Sequence, residues 1–229
     1  RTRTSTSGPS AEGVTAAERR VPPRDCDRCS RLADYRARNR AAEPYWHNAP
    51  VPSFGPPDAR LVVVGLAPGR GGANRTGRPF TGDYAGDVLY AALLAHGFAR
   101  GDYRADPADG LELVEARVTN AVRCVPPENK PTGAEIRNCR PFLEDELTVA
   151  PRPAVVLCLG RVAFDASLRA LGEVPARYDF GHGATTAVPD GPTLLASYHT
   201  SRYNLNTGRL THAMFDEVMA EVRRLLPAA

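Results

Sequence analysis

Four cysteines fall in two pairs: Cys26 and Cys29 form a C-x2-C motif, and Cys124 and Cys139 enclose 14 residues. A tight C-x2-C turn points both sulfurs the same way, so the pair can grip one ion or one corner of a cluster. The VPPENKP loop at 125–131 can fold back to bring the other two thiols together. Zinc and a [4Fe–4S] cluster each accept four thiolates, and spacing alone leaves both open. A second group consists of Asp83, Asn120 and His199, which lie at or beyond the ends of three apolar runs. A carboxylate can activate water, an amide offers both a donor and an acceptor, and an imidazole can donate a hydrogen bond. By itself Asp83 also reads as the N-cap of a helix starting near Tyr84. Asn120 sits within a β-branched segment where a turn residue is poorly explained. His199 ends an apolar run before a polar loop, a placement that points to function.

The elements that must position these groups follow from hydrophobic pattern. Residues 60–66, 116–122, 154–160 and 193–198 are continuously apolar and β-branched, as buried parallel strands are. Cys158 lies inside one of these runs and reads as a small core residue. Helical spacing separates them. Val88, Leu89, Ala92 and Leu93 mark a helix over 85–96 that Gly97 stops, and Thr132 with Glu135 forms a capping box opening a helix to about 149. Phe164, Leu168 and Leu171 give a third stripe, ended by Gly172, and Met214, Val218, Val222 and Leu225 a fourth. Alternating strands and helices predict a three-layer α/β/α fold with a central, mostly parallel four-stranded sheet. Ligands of such sheets bind beyond the carboxyl ends of the strands, where the loops after 66, around 120 and after 198 fall. Residues 1–22 lack hydrophobic periodicity and read as a disordered tail, leaving 23–229 as one domain.

Bulk properties narrow the class. A chain of 229 residues with 42% hydrophobic residues supports one packed core. A net charge of +3 permits phosphate binding without announcing it. Lys130 is the only lysine. The longest apolar runs are too short to span a bilayer, and no apolar core of a secretory signal precedes the domain. Five cysteines in such a chain argue for a metal site or free thiols rather than disulfides. A cytoplasmic protein without membrane association is expected.

The loop at 65–87, GLAPGRGGANRTGRPFTGDYAGD, lacks the lysine of a P-loop and the spacing of a dinucleotide fold. Its glycines still allow close approach of backbone to ligand. Together with TNAVRCVPP at 119–127, GHG at 181–183 and SYHTSRYNLNTGRLT at 197–211, it closely resembles the uracil-DNA glycosylase superfamily. Within it the chain is most similar to family 5, the type B enzymes of bacteria and archaea. The resemblance runs from about Asp25 to the end of the C-terminal helix. One position departs from the pattern: Thr200 follows His199 where superfamily members often carry Pro.

This resemblance implies an activity and assigns residues to it. Asp83 would orient or activate water, and His199 would stabilise the departing base. Phe80 and Asn120, with Gly65 and Ala67, would form the base pocket. Asn74, Arg75, Arg78, Arg202 and Asn204 would contact DNA, the segment with Tyr203 wedging into the gap left by the base. Cys26, Cys29, Cys124 and Cys139 would hold a [4Fe–4S] cluster. The partner would be double-stranded DNA containing damaged bases, bound by a monomer in the bacterial or archaeal cytoplasm. Lys130 lies between two of the expected cluster ligands, which places its loop over the cluster and leaves the pocket without an amine nucleophile. Two other readings fit part of the pattern: a non-catalytic nucleic-acid-binding protein bearing a cluster or zinc, and a nucleoside hydrolase acting on small molecules.

Overall fold

The computed structural model describes residues 19–226. Strands β1 (Leu61–Gly65), β4 (Ala116–Asn120), β5 (Val155–Leu159) and β7 (Thr193–Ser197) are the four expected from apolar runs. The sheet has a fifth strand, β6 (Thr185–Ala187), and runs β4-β1-β5-β7-β6, with β6 antiparallel to β7 and every other neighbour parallel. The sequence hid β6 because an edge strand exposed to water has no apolar run to reveal it. A short hairpin, β2 (Ala99–Arg100) with β3 (Glu112–Leu113), stands outside the sheet.

Side chains alternate along the central strands, so each strand feeds both layers. Leu61, Val63, Val155, Leu157 and Leu195 face a core shared with α3 (Tyr84–Ala95) and α7 (His212–Leu225). Val62, Val64, Val156, Cys158, Leu194 and Ala196 face α4 (Gly133–Thr148) and α5 (Arg161–Ala170). Cys158 is fully buried against Ser167, in the core role expected of it. The Thr132–Glu135 capping box opens α4 as its sequence announced. No helix among the described residues is long and apolar enough to cross a membrane.

Two parts of the N-terminal region differ from expectation. The tail read over 1–22 lies outside the described residues up to 18, but Arg19 and Arg20 pack on the domain. Arg20 forks onto Asp145 at 2.8 and 2.6 Å, and Arg19 donates to the Val149 and Pro151 carbonyls at 3.1 and 2.9 Å. Helix α1 (Ser30–Ala42) carries no apolar stripe; its buried residues are Leu32, Arg36 and Asn39. Polar bonds hold it instead, among them Arg36 to the Cys26 carbonyl at 2.8 Å.

The loop between β1 and α3 carries much of the expected chemistry, and one ion pair folds it. Arg78 was expected to reach DNA. It points inward: its guanidinium meets Asp109 at 2.8 and 2.7 Å, donates to Thr81 Oγ1 at 2.8 Å, and lies 5.1–5.7 Å from the rings of Phe54, Tyr90 and Tyr103. Arg78 holds the Asp109 carboxyl well below the usual carboxylate range. Removing one partner of such a pair strands a buried charge. Arg78→Ala should therefore lower the unfolding free energy by about 3–5 kcal/mol in urea titrations. A loss below about 1 kcal/mol, the range of an exposed pair, would show that the pair does not hold the loop.

Candidate active site

At the carboxyl ends of β1, β4 and β7 lies a cleft with about 890 Å³ of empty space, part of it open to solvent. Ala67, Phe80, Asp83, Asn120 and His199 all line it. Residues expected to act together from three separate loops thus share one surface.

Register brings the first pair together. Gly65, the last residue of β1, stands beside Asn120, the last of β4. A Cβ on Gly65 would fall 2.4 Å from the Phe80 ring and 2.5 Å from Asn120 Oδ1. Only glycine lets the ring and the amide close over the strand end. The Asn120 side chain makes no hydrogen bond with a described residue, so its donor and acceptor are available to a ligand. Phe80 itself has φ +50, a left-handed conformation fixed by Tyr90 donating to the Pro79 carbonyl at 2.6 Å and Tyr103 donating to the Phe80 carbonyl at 3.3 Å.

Asp83 is both cap and lining residue. Its Oδ1 accepts from Gly86 N at 3.0 Å at the start of α3. Its Oδ2 faces Gly72, where an added Cβ would lie 2.4 Å away. Burial raises the Asp83 carboxyl above its ordinary value of 3.8, the Gly86 bond opposing the shift. Burial also pushes the His199 imidazole down to about 4, so the ring is neutral at pH 7. Its nitrogens have no partner among the described residues, and its plane stacks on Phe80 with centroids 6.0 Å apart. Neutral imidazole has one N–H to donate, and here that N–H is uncommitted.

The backbone around His199 is pinned from several directions. Asn204 Nδ2 donates to the His199 carbonyl at 2.8 Å, and Thr200 Oγ1 donates to the Ala85 carbonyl at 3.1 Å. His182 Nδ1 accepts from Tyr198 N at 3.2 Å, and its ring stacks on Tyr198. The GHG segment therefore acts as scaffold for the strand end.

The chain was compared with known proteins. A profile described as the uracil DNA glycosylase superfamily matches residues 52–223. The chain belongs to this superfamily. A Type-5 uracil-DNA glycosylase of Thermus thermophilus is 48% identical across 87% of this chain and 93% of that protein. Proteins of the same description from Mycobacterium leprae and Pyrobaculum aerophilum are 43% and 42% identical, each over 87% of this chain and over 91% and 87% of their own lengths.

Where superfamily members often have Pro after the histidine of the last motif, Thr200 is fully buried and its hydroxyl ties that motif to the helix capped by Asp83. Proline could not donate this bond. Other expected DNA contacts are placed differently. Asn74 is buried, its amide donating to Asn48 Oδ1 at 2.9 Å, and Asn204 is turned inward to His199. Arg202 and Tyr203 are exposed, but on a short helix, α6 (Arg202–Asn206), rather than a loop. Arg75 is exposed beside the cleft loop.

Sequence reasoning missed Asn129. The loop holding it and Lys130 does not lie only over the cysteines, because Asn129 lines the cleft, at φ +56 after Glu128 at φ +55. An Asn-Lys-Pro turn is the available signal, since Asn tolerates the left-handed region. Lys130 itself is exposed and sits 3.7 Å from Glu128.

Cys26, Cys29, Cys124 and Cys139 line a second, separate cavity. The first two precede α1, Cys124 follows β4, and Cys139 lies in α4. Arg36 Nη1 donates toward Cys124 Sγ at 3.8 Å, Asn138 Nδ2 toward Cys29 Sγ at 3.6 Å, and Arg123 N to Cys139 Sγ at 3.3 Å. Among the described residues, no three His, Cys, Asp or Glu side chains form a group able to hold one metal ion.

The His199 environment gives a direct test. Its ring should titrate by NMR with a midpoint near 4. A midpoint at the ordinary 6.5 would place the ring in water and contradict the geometry.

Proposed function

We propose that the chain is a monofunctional DNA glycosylase of base excision repair. It hydrolyses the N-glycosidic bond of uracil, and of other deaminated bases such as hypoxanthine, in double-stranded DNA, acting as a cytoplasmic monomer. One observation carries this reading: in a member of the uracil DNA glycosylase superfamily, Asp83, Asn120 and His199 line one cleft with uncommitted polar atoms. A non-catalytic nucleic-acid-binding protein has no use for that convergence.

The target base is extruded into the cleft, where Phe80 stacks on it and Asn120 reads its edge. Water adds to the sugar carbon and the base leaves with the bonding electrons. Asp83 orients the water, faces the cationic character on the sugar, and takes the water's proton. The His199 N–H donates to the base oxygen on which negative charge develops, a donor held in place before that charge appears. Likeness to the Type-5 relatives supports the type B subtype.

The four cysteines are the residues that would hold a [4Fe–4S] cluster. The support is the donor set: four thiols line one cavity, and four thiolates are the ligand set of such a cluster. Sulfur-directed N–H groups suit thiolates. When bound, the cluster supplies cross-links between the segment before α1, the end of β4 and helix α4.

Asp83→Asn and His199→Ala should each lower single-turnover uracil excision by on the order of 10²-fold or more, while binding to an abasic product survives. In the wild type the rate should fall as pH drops through a pKa above 3.8, because Asp83 must be ionised and its pKa is raised. That limb should vanish in Asp83→Asn. Near-full activity of Asp83→Asn on every substrate would reduce Asp83 to a helix cap. Pure protein should be brown, and Cys139→Ala should lose stability before any chemical step is affected; colourless protein holding stoichiometric zinc after anaerobic preparation would contradict the cluster. Because Lys130 does not line the cleft, borohydride should trap no adduct and strands should stay whole until alkali is added. An adduct mapping to Lys130 would overturn the monofunctional mechanism.

A further inference from the structure

Beyond the cleft an open groove is lined by Arg24, Tyr45, Trp46, His47, Arg75 and Asp106, among others. It begins at the catalytic loop. Arg75 donates to the Gly71 carbonyl at 2.8 Å, and its guanidinium lies against Gly82, where an added Cβ would meet Nη2 at 2.5 Å. Gly82 precedes Asp83, so Arg75, which lines the groove, also touches the backbone next to the proposed catalytic carboxylate.

The groove displays one fully exposed aromatic ring and one half-buried one. Tyr45 is 100% exposed. Trp46 has an arginine, Arg70, 5.0 Å from its ring centroid. Exposed aromatics on a mobile turn would mean little, but this turn is pinned. Trp46 N donates to the Glu43 carbonyl at 3.1 Å, His47 N to the Arg75 carbonyl at 3.0 Å, and Asn48 N to the Asn74 carbonyl at 3.1 Å. Asn48 Nδ2 adds a bond to the Glu43 carbonyl at 2.7 Å. Arg70 is itself anchored on Asn39 Oδ1 at 3.0 Å, with Glu43 3.7 Å away. Neither Arg24 nor Arg75 forms an ion pair with a described carboxylate, although Arg24 lies close enough to Asp25 to lower its carboxyl. Asp106, the acid in the lining, already accepts from Ala108 N at 2.8 Å.

On a pinned backbone turn, a fully exposed Tyr45 and a half-buried Trp46 beside arginines without an ion pair form a platform for unpaired bases, because rings stack on base faces while guanidinium groups neutralise phosphates. Paired bases in a duplex offer no free face to Tyr45. We propose that this groove binds a single-stranded stretch of DNA running past the lesion cleft, with Tyr45 and Trp46 stacking on its bases and Arg24 and Arg75 on its phosphates. The proposal rests on the glycosylase reading for its DNA partner and assigns a single-stranded segment of that DNA to this groove.

The test uses the full chain and undamaged thymidine oligonucleotides, which offer no base to excise. In fluorescence anisotropy, the wild type should bind 12-mers with a steep salt dependence. Tyr45→Ala should weaken that binding on the order of tenfold, the scale of one lost stacking contact. Because Tyr45 is fully exposed, this variant folds without penalty to the core. Tyr45→Ala should also raise KM for uracil in single strands, with kcat on duplex uracil unchanged. Arg24→Ala should flatten the salt response. Oligonucleotide binding by Tyr45→Ala equal to wild type, or no wild-type binding at low salt, would overturn the proposal. Wild-type failure to excise uracil from a duplex would sink the glycosylase reading instead, while the oligonucleotide arm still decides the groove.

Discussion

The buried pair of Arg78 and Asp109 is the constraint on which the catalytic loop depends. Burying two charges costs several kcal/mol per ion, and only excellent geometry with further hydrogen bonds offsets it. Both conditions are met. The contact is bidentate, Asp109 also accepts from Arg104 N at 2.9 Å and Leu111 N at 3.0 Å, and three aromatic rings surround the guanidinium. Arg78 and Asp109 are 31 residues apart, so the pair staples the loop after β1 to the segment before β3. Between Arg78 and the start of α3 lie Phe80, in a left-handed conformation, and Asp83, at the helix cap. Non-glycine residues hold such conformations only where their surroundings over-determine them. The ion pair, with Tyr90 and Tyr103 bonding to the Pro79 and Phe80 carbonyls, supplies that surplus of constraint.

The same enclosure sets the electrostatics of the cleft. Burial raises the Asp83 carboxyl and lowers the His199 imidazole, in each case favouring the neutral form. The two shifts have different consequences for chemistry. A carboxylate in a poorly solvated site gains from a positive charge appearing nearby, which is what the sugar would develop in the proposed reaction. A neutral imidazole can donate a hydrogen bond without carrying a charge that would bind DNA phosphate nonproductively. Thr200 couples the two groups mechanically, since its hydroxyl joins the His199 segment to Ala85, two residues after Asp83.

Much of this was legible in the sequence where one physical signal dominated. Continuous β-branched runs revealed β1, β4, β5 and β7, and the Thr132–Glu135 box revealed the start of α4. Asn120 and His199 stood out because polar side chains beside apolar strand ends need a reason, whereas Asp83 read by itself as a helix cap and gained its site role from the family resemblance. The losses are equally specific. Edge strand β6 is exposed and helix α1 polar, so neither has an apolar pattern. Arg78 reads as a DNA contact because a surface arginine and a buried one look alike until the partner, 31 residues away, is known. Asn74 and Asn204 were assigned outward for the same reason, and each spends its amide on the fold. Asn129 was missed because its loop, lying in sequence between Cys124 and Cys139, was placed over the cysteines.

If the buried pair governs the catalytic loop, perturbing it from the far side must reach the chemistry. Asp109 is not among the residues lining the cleft. Asp109→Asn keeps the side chain's shape while removing the charge that Arg78 requires. The decisive measurement is single-turnover uracil excision by this variant, well below its own Tm, with folding verified by circular dichroism. A displacement of about 1 Å at Phe80 and Asp83 should slow excision on the order of 10²-fold in the folded protein. Wild-type excision by folded Asp109→Asn would contradict the account.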